Sequence, residues 1–477
     1  MHDTSARYSR LRDEVHRHNQ SHLLAFWDHL SESQRDELLA DIEQIDFKRC
    51  AALIEPYVRN RPEFAFPAQL EPVRALPASP QPTTTVDYSA ARARGEQAIR
   101  AGEVAAFTVA GGQGTRLGFD GPKGAFEITP IRRAPLFQVF AESLLGCRRR
   151  YGRQPHWYIM TSPANHRETL AFFESHAHFG LGRDAVTFFP QRQMPAFLPD
   201  GRIAMSSRSR VALSPDGHGG SLHALAASGA LAGMTARGER YVSYFQVDNP
   251  LVRCIDPLFI GLHIETGSEM SSKAVAKSHD LERVGNFCRA DGRVCVIEYS
   301  DLPEELARSR NVDGSRRFDA GSIAIHILSR EFIERLTAEG SATQLPWHRA
   351  DKKQAVIDEQ GHLLTPAAPN VVKLEMFVFD AIPLAANPLV LMTERSDEFS
   401  PVKNADGADS PFTTRRDLVR RAAQWLQACG ARIPRRADGE PDANLEIAPS
   451  FALDADDLRS QLPRTPDVAP GSELLLC

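Results

Sequence analysis

Between residues 20 and 60 the apolar positions recur at intervals of three and four. HLLAFWDHL, SESQRDELLADIEQID and FKRCAALIEPYV each gather their apolar side chains on one helical face, and SESQRDELL opens on Ser31, a hydroxyl suited to a helix N-cap. From about residue 60 to 88 the periodicity dissolves into RPEFAFPAQLEPVRALPASPQPTTT, a proline-rich stretch that reads as an extended connector. Beyond it short apolar runs alternate with amphipathic ones: VAAFTVA then PLFQVFAESLLGCRRR, HWYIMTS then NHRETLAFFESH, VTFFPQ then SLHALAASGALAGM, YVSYFQVDN then PLFIGLHIETG. This alternation predicts βαβ units and a mostly parallel, doubly wound α/β sheet. FLPDGRIAM and NFCRADGRVCVIEYS interrupt it with Asp-Gly between alternating strands, the mark of hairpins. The pattern divides the chain into a helical region with its connector (1–90), a sheet domain (91–405) and a small lobe led by the helix RRDLVRRAAQWLQAC (406–477).

Composition narrows the class. The 477 residues are 42% hydrophobic and 25% charged with a net charge of −5, values of an ordinary globular protein with no bulk attraction for nucleic acid. The start, MHDTSARYSRLRDEVHRHN, lacks the apolar core of a secretory signal, and no apolar run approaches bilayer length, so a cytoplasmic chain without membrane contact is expected. Seven cysteines form no CxxC pair or metal-ligand spacing, which fits reduced thiols. The sixteen histidines show no HExxH arrangement and give no support to zinc catalysis.

The candidate chemistry begins where the first strand of the sheet domain breaks. VAAFTVAGGQGTRLGFDGPKG places glycines at 111, 112, 114 and 118 beside Arg116 and Lys123, at the carboxyl end of a strand where open α/β folds bind ligands. Bare backbone there lets N–H groups approach a nucleotide, a guanidinium can fork onto phosphate oxygens, and an ammonium adds a point charge. The spacing matches neither GxxxxGK[ST] nor GxGxxG. The glycines alone read best as a structural turn; with both cations at these offsets they read as a phosphate site. Asp248, ending YFQVD, presents a hard oxygen suited to Mg²⁺, and from local sequence it reads equally as the cap of a helix beginning near Pro250.

GGQGTRLG followed by PKG resembles the signature of the eukaryotic-type UDP-sugar pyrophosphorylases, the family of UDP-N-acetylhexosamine and UDP-glucose uridylyltransferases. FFPQRQMPA, VALSPDGHGGSLHAL, VDNPLVRCIDPLFIG, VIEYSDLP, FDAGSIAIHIL, VKLEMFVFD and FSPVKNADGADSP follow in the family's order, so the resemblance spans nearly the whole chain, closest to the N-acetylhexosamine branch. It implies a Rossmann-like nucleotidyltransferase fold of GT-A type, and an enzyme that joins UTP to a sugar 1-phosphate with magnesium and releases pyrophosphate, as a monomer or homodimer.

The same resemblance distributes roles. Arg116, Lys123 and Lys403 would hold phosphate and developing charge; Gly111, Gly112, Gln191, Gly217 and His218 would meet the nucleotide, with Gln191 on the uracil edge; Gly285, Glu298 and Asp319 would contact the sugar; Asp248 would bind the metal. Two departures bear on the sugar. N-acetylhexosamine members tend to carry Asn where His218 stands, whereas UDP-glucose members tend to carry His in a GHG setting. The 318–322 block, Asn-rich in the family, here has Asp319 and Ser322. N-acetylglucosamine 1-phosphate is the expected acceptor, with glucose 1-phosphate or a broad sugar range as the alternative. An inactive nucleotide-binding relative, an ATP- or GTP-dependent nucleotidyltransferase and a sugar kinase stay open as other readings.

Overall fold

The computed structural model describes residues 2–62, 66–82, 84–338 and 344–477, so residues 63–65 and 83 of the proline-rich connector lie outside the described residues. The chain forms two compact units, each discontinuous in sequence. Met1–Phe66, Gln191–Ser221 and Leu345–Val378 make the first; Pro67–Pro190, Leu222–Gln344 and Phe379–Cys477 make the second. These units follow a different cut from the linear division at residues 90 and 405. The stretch from 406 onward keeps a small apolar cluster of its own around Trp425, Leu426, Leu445 and Leu458.

The second unit is built on a ten-stranded sheet: β1 (Leu70–Pro72), β2 (Val104–Val109), β3 (Trp157–Thr161), β4 (Val186–Pro190), β5 (Tyr241–Gln246), β6 (Met270–Ala276), β7 (Asn286–Ala290), β8 (Arg293–Ile297), β9 (Ala320–Ser329) and β10 (Leu389–Met392). The strand order is β1-β7-β9-β5-β2-β3-β4, with β6 between β9 and β10, and β8 paired to β7. Its parallel centre is β5-β2-β3-β4, in register from Val104↔Tyr241 to Val109↔Gln246. The central strands are apolar at nearly every position because both faces are covered: Val104, Ala105, Ala106, Phe107 and Thr108 are all buried. On one face Val104, Ala106, Trp157, Ile159 and Phe245 cluster with Phe137, Phe140 and Leu144 of the helix Leu136–Tyr151. Side chains in such a core are each worth about 1.5–3 kcal/mol of burial. The helices Tyr88–Ala101 and Pro257–Glu265 touch through glycine: a Cβ on Gly95 would fall 1.8 Å from the Pro257 carbonyl oxygen, and one on Gly261 would fall 1.6 Å from that of Ala91.

The first unit packs Leu11, Val15, Leu38, Leu39 and Ile42 of the helices His2–Arg17 and Glu32–Glu43 with Phe197, Met205 and Leu374. Arg210 clamps Asp41 of the second helix in a bidentate pair at 2.8 and 2.9 Å. Ser31 caps Glu32–Glu43 in a reciprocal box with Gln34, as the serine signal predicts. Two expected helices differ. HLLAFWDHL forms the short 3-10 turns Ser21–Leu24 and Trp27–His29, while Gln20 bonds to Gly201 and Ile203 and His22 to Ile203. FKRCAALIEPYV is helical over Phe47–Leu53 and then widens to a π-turn at Ile54–Arg59, because Pro56 has no N–H to continue the ladder. Both hairpins form: Leu198 N–H donates to the Arg202 carbonyl at 2.7 Å, and β7 pairs with β8 around Asp291 and Gly292, whose φ values of 47° and 83° suit an Asp-Gly turn. No helix among the described residues is long and apolar enough to cross a membrane.

Candidate active site

The glycine loop leaves the carboxyl end of β2 and folds back on itself. Lys123 N–H donates to the Gly112 carbonyl at 3.1 Å, Gly114 N–H to that of Gly121 at 2.9 Å, and Gln113 bridges to Pro122. Gly114 is dictated by packing, since a Cβ there would meet the Phe119 ring at 2.6 Å. Gly112 is different: it is exposed, and a Cβ would find nothing within 4 Å. Nothing in the fold requires glycine at 112, and its bare backbone is what a close-lying ligand needs. Beneath the loop lies Asn165, fully buried, whose amide donates to the carbonyls of Ala110 and Gly112 at 3.0 and 3.2 Å and accepts from Ser162 N–H at 2.8 Å. It stands at the N-cap position of the helix His166–Ser175, yet its side chain makes no cap bond.

Four predicted residues converge in this unit. Lys123 Nζ stands 3.8 Å from Asp248 Oδ2, with side chains 10% and 14% exposed. Burial pulls the Lys123 ammonium below the ordinary lysine range; Asp248 opposes that shift, and the charges of Arg116 and Lys403 add to it. Two elements fix Asp248. It follows β5, and its carbonyl accepts from Val402 N–H at 2.8 Å, which ties it to the segment carrying Lys403. Its neighbour Asn249 is 3% exposed, donates to the Glu398 carbonyl at 2.7 Å and accepts from Ser400 N–H at 3.1 Å. No helix begins at Pro250; the next one starts at Pro257 under an Asp256 cap, so Asp248 is not a helix cap. Below this junction Lys273 Nζ is fully buried between Asp256 Oδ2 at 2.6 Å and the two Glu398 oxygens at 2.5 and 2.6 Å. Lys403 is held by its backbone: its N–H and that of Asn404 donate to the Asp409 carbonyl at 2.6 and 3.0 Å, and Asp409 takes a left-handed φ of 53° to accept them.

In the first unit Gln191 and Asp216 are 7% and 5% exposed. The Gln191 amide nitrogen donates to Asp216 Oδ1 at 2.9 Å and to the Gly217 carbonyl at 2.7 Å. The second glycine loop has an internal reason for its bareness. Gly217 has φ +84°, and a Cβ there would lie 2.3 Å from the Met376 carbonyl oxygen. His218 stacks on Phe377 with ring centroids 5.2 Å apart, and its Nδ1 accepts from Val378 N–H at 3.1 Å. Burial, with a smaller contribution from His348, lowers its pKa to about 4. The imidazole is therefore neutral at physiological pH and carries its proton on Nε2.

Among the sugar candidates, the second unit brings Gly285 and Glu298 together. A Cβ on Gly285 would sit 2.6 Å from Val296 Cγ1, 3.3 Å from Glu298 Oε1 and 3.8 Å from the Cβ of Ser322, whose N–H donates to the Gly285 carbonyl at 2.8 Å. Asp319 is engaged otherwise. Its carboxylate accepts from Arg316 and from Lys277 N–H, both at 3.3 Å, inside a network in which Arg316 also pairs with Asp280 at 2.8 Å. Ser322, and not the carboxylate of Asp319, is the residue of that block beside Gly285. The supporting residues Asn165, Asp216 and Lys273 carry no signal in the sequence, and Asn249, which the sequence offers as a helper in capping a helix near Pro250, instead bonds to Glu398 and Ser400. Their side chains act on backbone and buried partners far along the chain, a relationship that no local motif encodes.

Among the described residues no group of three or more His, Cys, Asp or Glu is arranged to hold a metal ion. Asp248 fits Mg²⁺ as a single carboxylate at a strand end, since that ion keeps waters and phosphate oxygens as its other ligands.

Residues 73–472 match the family described as UTP–glucose-1-phosphate uridylyltransferase. The UDP-N-acetylhexosamine pyrophosphorylase-like protein 1 of Xenopus tropicalis is 35% identical over 473 residues, 93% of this chain and 92% of that one. The UDP-N-acetylglucosamine pyrophosphorylase of Saccharomyces cerevisiae is 35% identical over 430 residues, 86% and 90% of the two chains. The crystal structure of the uridine diphosphate N-acetylglucosamine pyrophosphorylase of Trypanosoma brucei matches with a TM-score of 0.80 at 28% identity, covering 99% of this chain and 98% of that one. Sequence and fold thus agree over nearly the full length, and the chain belongs to the UTP–glucose-1-phosphate uridylyltransferase family.

Proposed function

We propose that this chain is a uridylyltransferase that joins UTP and N-acetylglucosamine 1-phosphate to give the UDP-sugar and pyrophosphate. The observation that carries this reading is the pairing of Lys123 with Asp248, with Arg116 and Lys403 within electrostatic reach of Lys123 and the bare backbone of Gly112 in the same loop. The reaction needs no protein nucleophile. A phosphate oxygen of the sugar phosphate attacks the α-phosphorus of UTP, the bond to the bridging oxygen breaks, and pyrophosphate leaves with the electron pair. The protein's work is to hold two anions against their repulsion and to stabilise charge on the leaving group. Lys123, Arg116 and Lys403 supply that charge, and Gly111 and Gly112 supply backbone contacts to the nucleotide. Magnesium, held by Asp248, would supply further neutralisation of the phosphates. Gln191 and the Gly217–His218 loop are assigned the uracil side; Gly285 and Glu298, with Ser322, are assigned the sugar hydroxyls.

The acceptor rests on relatives that are N-acetylglucosamine or N-acetylhexosamine enzymes by name. His218 and Ser322 favour a second reading, in which glucose 1-phosphate is accepted as well. The cytoplasm is the compartment we assign, supported by seven cysteines without a disulfide, and the working form is a monomer or homodimer. Pyrophosphate release from UTP with each sugar 1-phosphate tests the reading: release that requires the sugar supports it, and no release with any sugar from a folded, UTP-binding protein contradicts it.

A further inference from the structure

We infer that Asp216 is a specificity-determining residue: it fixes which way the Gln191 amide faces, and so makes the nucleotide site select a pyrimidine that carries a hydrogen on ring N3. The inference rests on the reading that Gln191 meets the base, and it adds a residue and a selection rule to it.

The amide orientation follows from its partners. A Gln side chain offers two N–H donors and one carbonyl acceptor, and the two ends are told apart by their hydrogen bonds. The Gln191 nitrogen lies 2.9 Å from Asp216 Oδ1 and 2.7 Å from the Gly217 carbonyl. Burial raises the Asp216 pKa to about 6, so above that pH its carboxylate, like the backbone carbonyl, can only accept; both places then demand donors, and the amide oxygen is left to face away from them. That oxygen receives no hydrogen bond among the described residues.

Both anchors are rigid. Asp216 is 5% exposed, its carbonyl accepts from Met376 N–H at 2.8 Å, and its carboxylate lies against Gly220, where a Cβ would come within 2.0 Å of Oδ1. Gly217 is wedged against the Met376 backbone with φ +84°. Turning the amide over would aim its oxygen at two acceptors where both side chains are buried, with repulsion in place of two bonds. The amide therefore presents an acceptor only. Uracil has an N3–H to give it; cytosine has at N3 an unprotonated nitrogen, which would face the amide oxygen lone pair to lone pair. A carboxylate two residues before His218 thus sets the choice between UTP and CTP.

Three variants test this, read as kcat/KM with UTP and with CTP under saturating sugar 1-phosphate. Asp216→Asn keeps the shape of the side chain and adds an N–H₂ that can donate to a turned Gln191 oxygen. We expect UTP kcat/KM to fall about tenfold, mostly in KM, and the UTP-to-CTP ratio to fall at least about tenfold, the size of one misdirected hydrogen bond. A folded Asp216→Asn enzyme with an unchanged ratio overturns the inference. Gln191→Glu tests it without touching Asp216. Two adjacent buried carboxylates must share a proton, so UTP kcat/KM relative to the parent enzyme should rise as pH falls from 8 to 6; a profile parallel to the parent's overturns the inference even if Asp216→Asn does not fold. Gln191→Ala separates the two levels. A raised KM for UTP upholds the base reading independently of Asp216, whereas an unchanged KM removes that reading and the inference with it.

Discussion

Lys123 Nζ and Asp248 Oδ2 stand 3.8 Å apart at the ends of two different elements, one closing the glycine loop after β2 and the other following β5. At that distance, with both side chains mostly buried, Asp248 opposes the loss of charge that burial favours at Lys123. A substrate phosphate entering beside Lys123 and a cation entering beside Asp248 would find both charges in place.

Lys123→Ala or Arg116→Ala should therefore lower kcat by roughly 100- to 1,000-fold, the usual cost of removing one preorganised charge donor. Circular dichroism and the thermal midpoint should show a folded protein. Near-parental turnover in either variant would remove the phosphate assignment.

Asp248→Asn removes charge from the assigned metal ligand while keeping its shape. We expect the magnesium concentration for half-maximal rate to rise at least about tenfold. An unchanged magnesium curve would place the ion elsewhere.

Asn249 staples the Asp248 turn to the segment leading to Lys403 by donating to Glu398 and accepting from Ser400. Asn249→Ala leaves buried backbone groups unpaired, so stability should drop by about 1–3 kcal/mol, and kcat should fall with it. Asn249→Asp, which still accepts from Ser400 but cannot donate to Glu398, should fall between. Equal kcat in all three proteins would show that the staple does not position Lys403.

His218 gives a pH dependence with a definite sign. Burial holds its pKa at about 4, below the ordinary histidine value of 6.5, so the folded state resists the proton that the unfolded chain accepts. Its stability contribution is complete above pH 6.5 and is lost as pH falls from there through about 4. The thermal midpoint of the parent should decline across that window more steeply than that of His218→Asn, and parallel curves would contradict the half-buried, neutral imidazole. Activity should show no His218 limb above pH 5.

Much of this was legible in the sequence because the decisive features are local. The apolar runs of β2, β3 and β5, the Asp-Gly hairpins and the Ser31 cap all carry their cause within a few residues. Gly112, Arg116 and Lys123 sit in one loop, so a phosphate role could be argued for them from sequence alone. HLLAFWDHL misled because side chains anchored to Gly201 and Ile203 accompany its 3-10 turns, and that anchor lies about 180 residues away. Asp216 and Asn165 carry no local signal because each is defined by what it holds still, which becomes visible only when the chain is folded.

The most direct test of the account is pyrophosphate release from UTP with magnesium, measured in parallel against the 1-phosphates of N-acetylglucosamine, N-acetylgalactosamine, glucose and galactose. The account predicts sugar-dependent release with the highest kcat/KM for N-acetylglucosamine 1-phosphate. Release that favours glucose 1-phosphate would contradict the acceptor and make His218 and Ser322 its determinants, and absence of release with every sugar, from folded protein that binds UTP, would contradict uridylyl transfer itself.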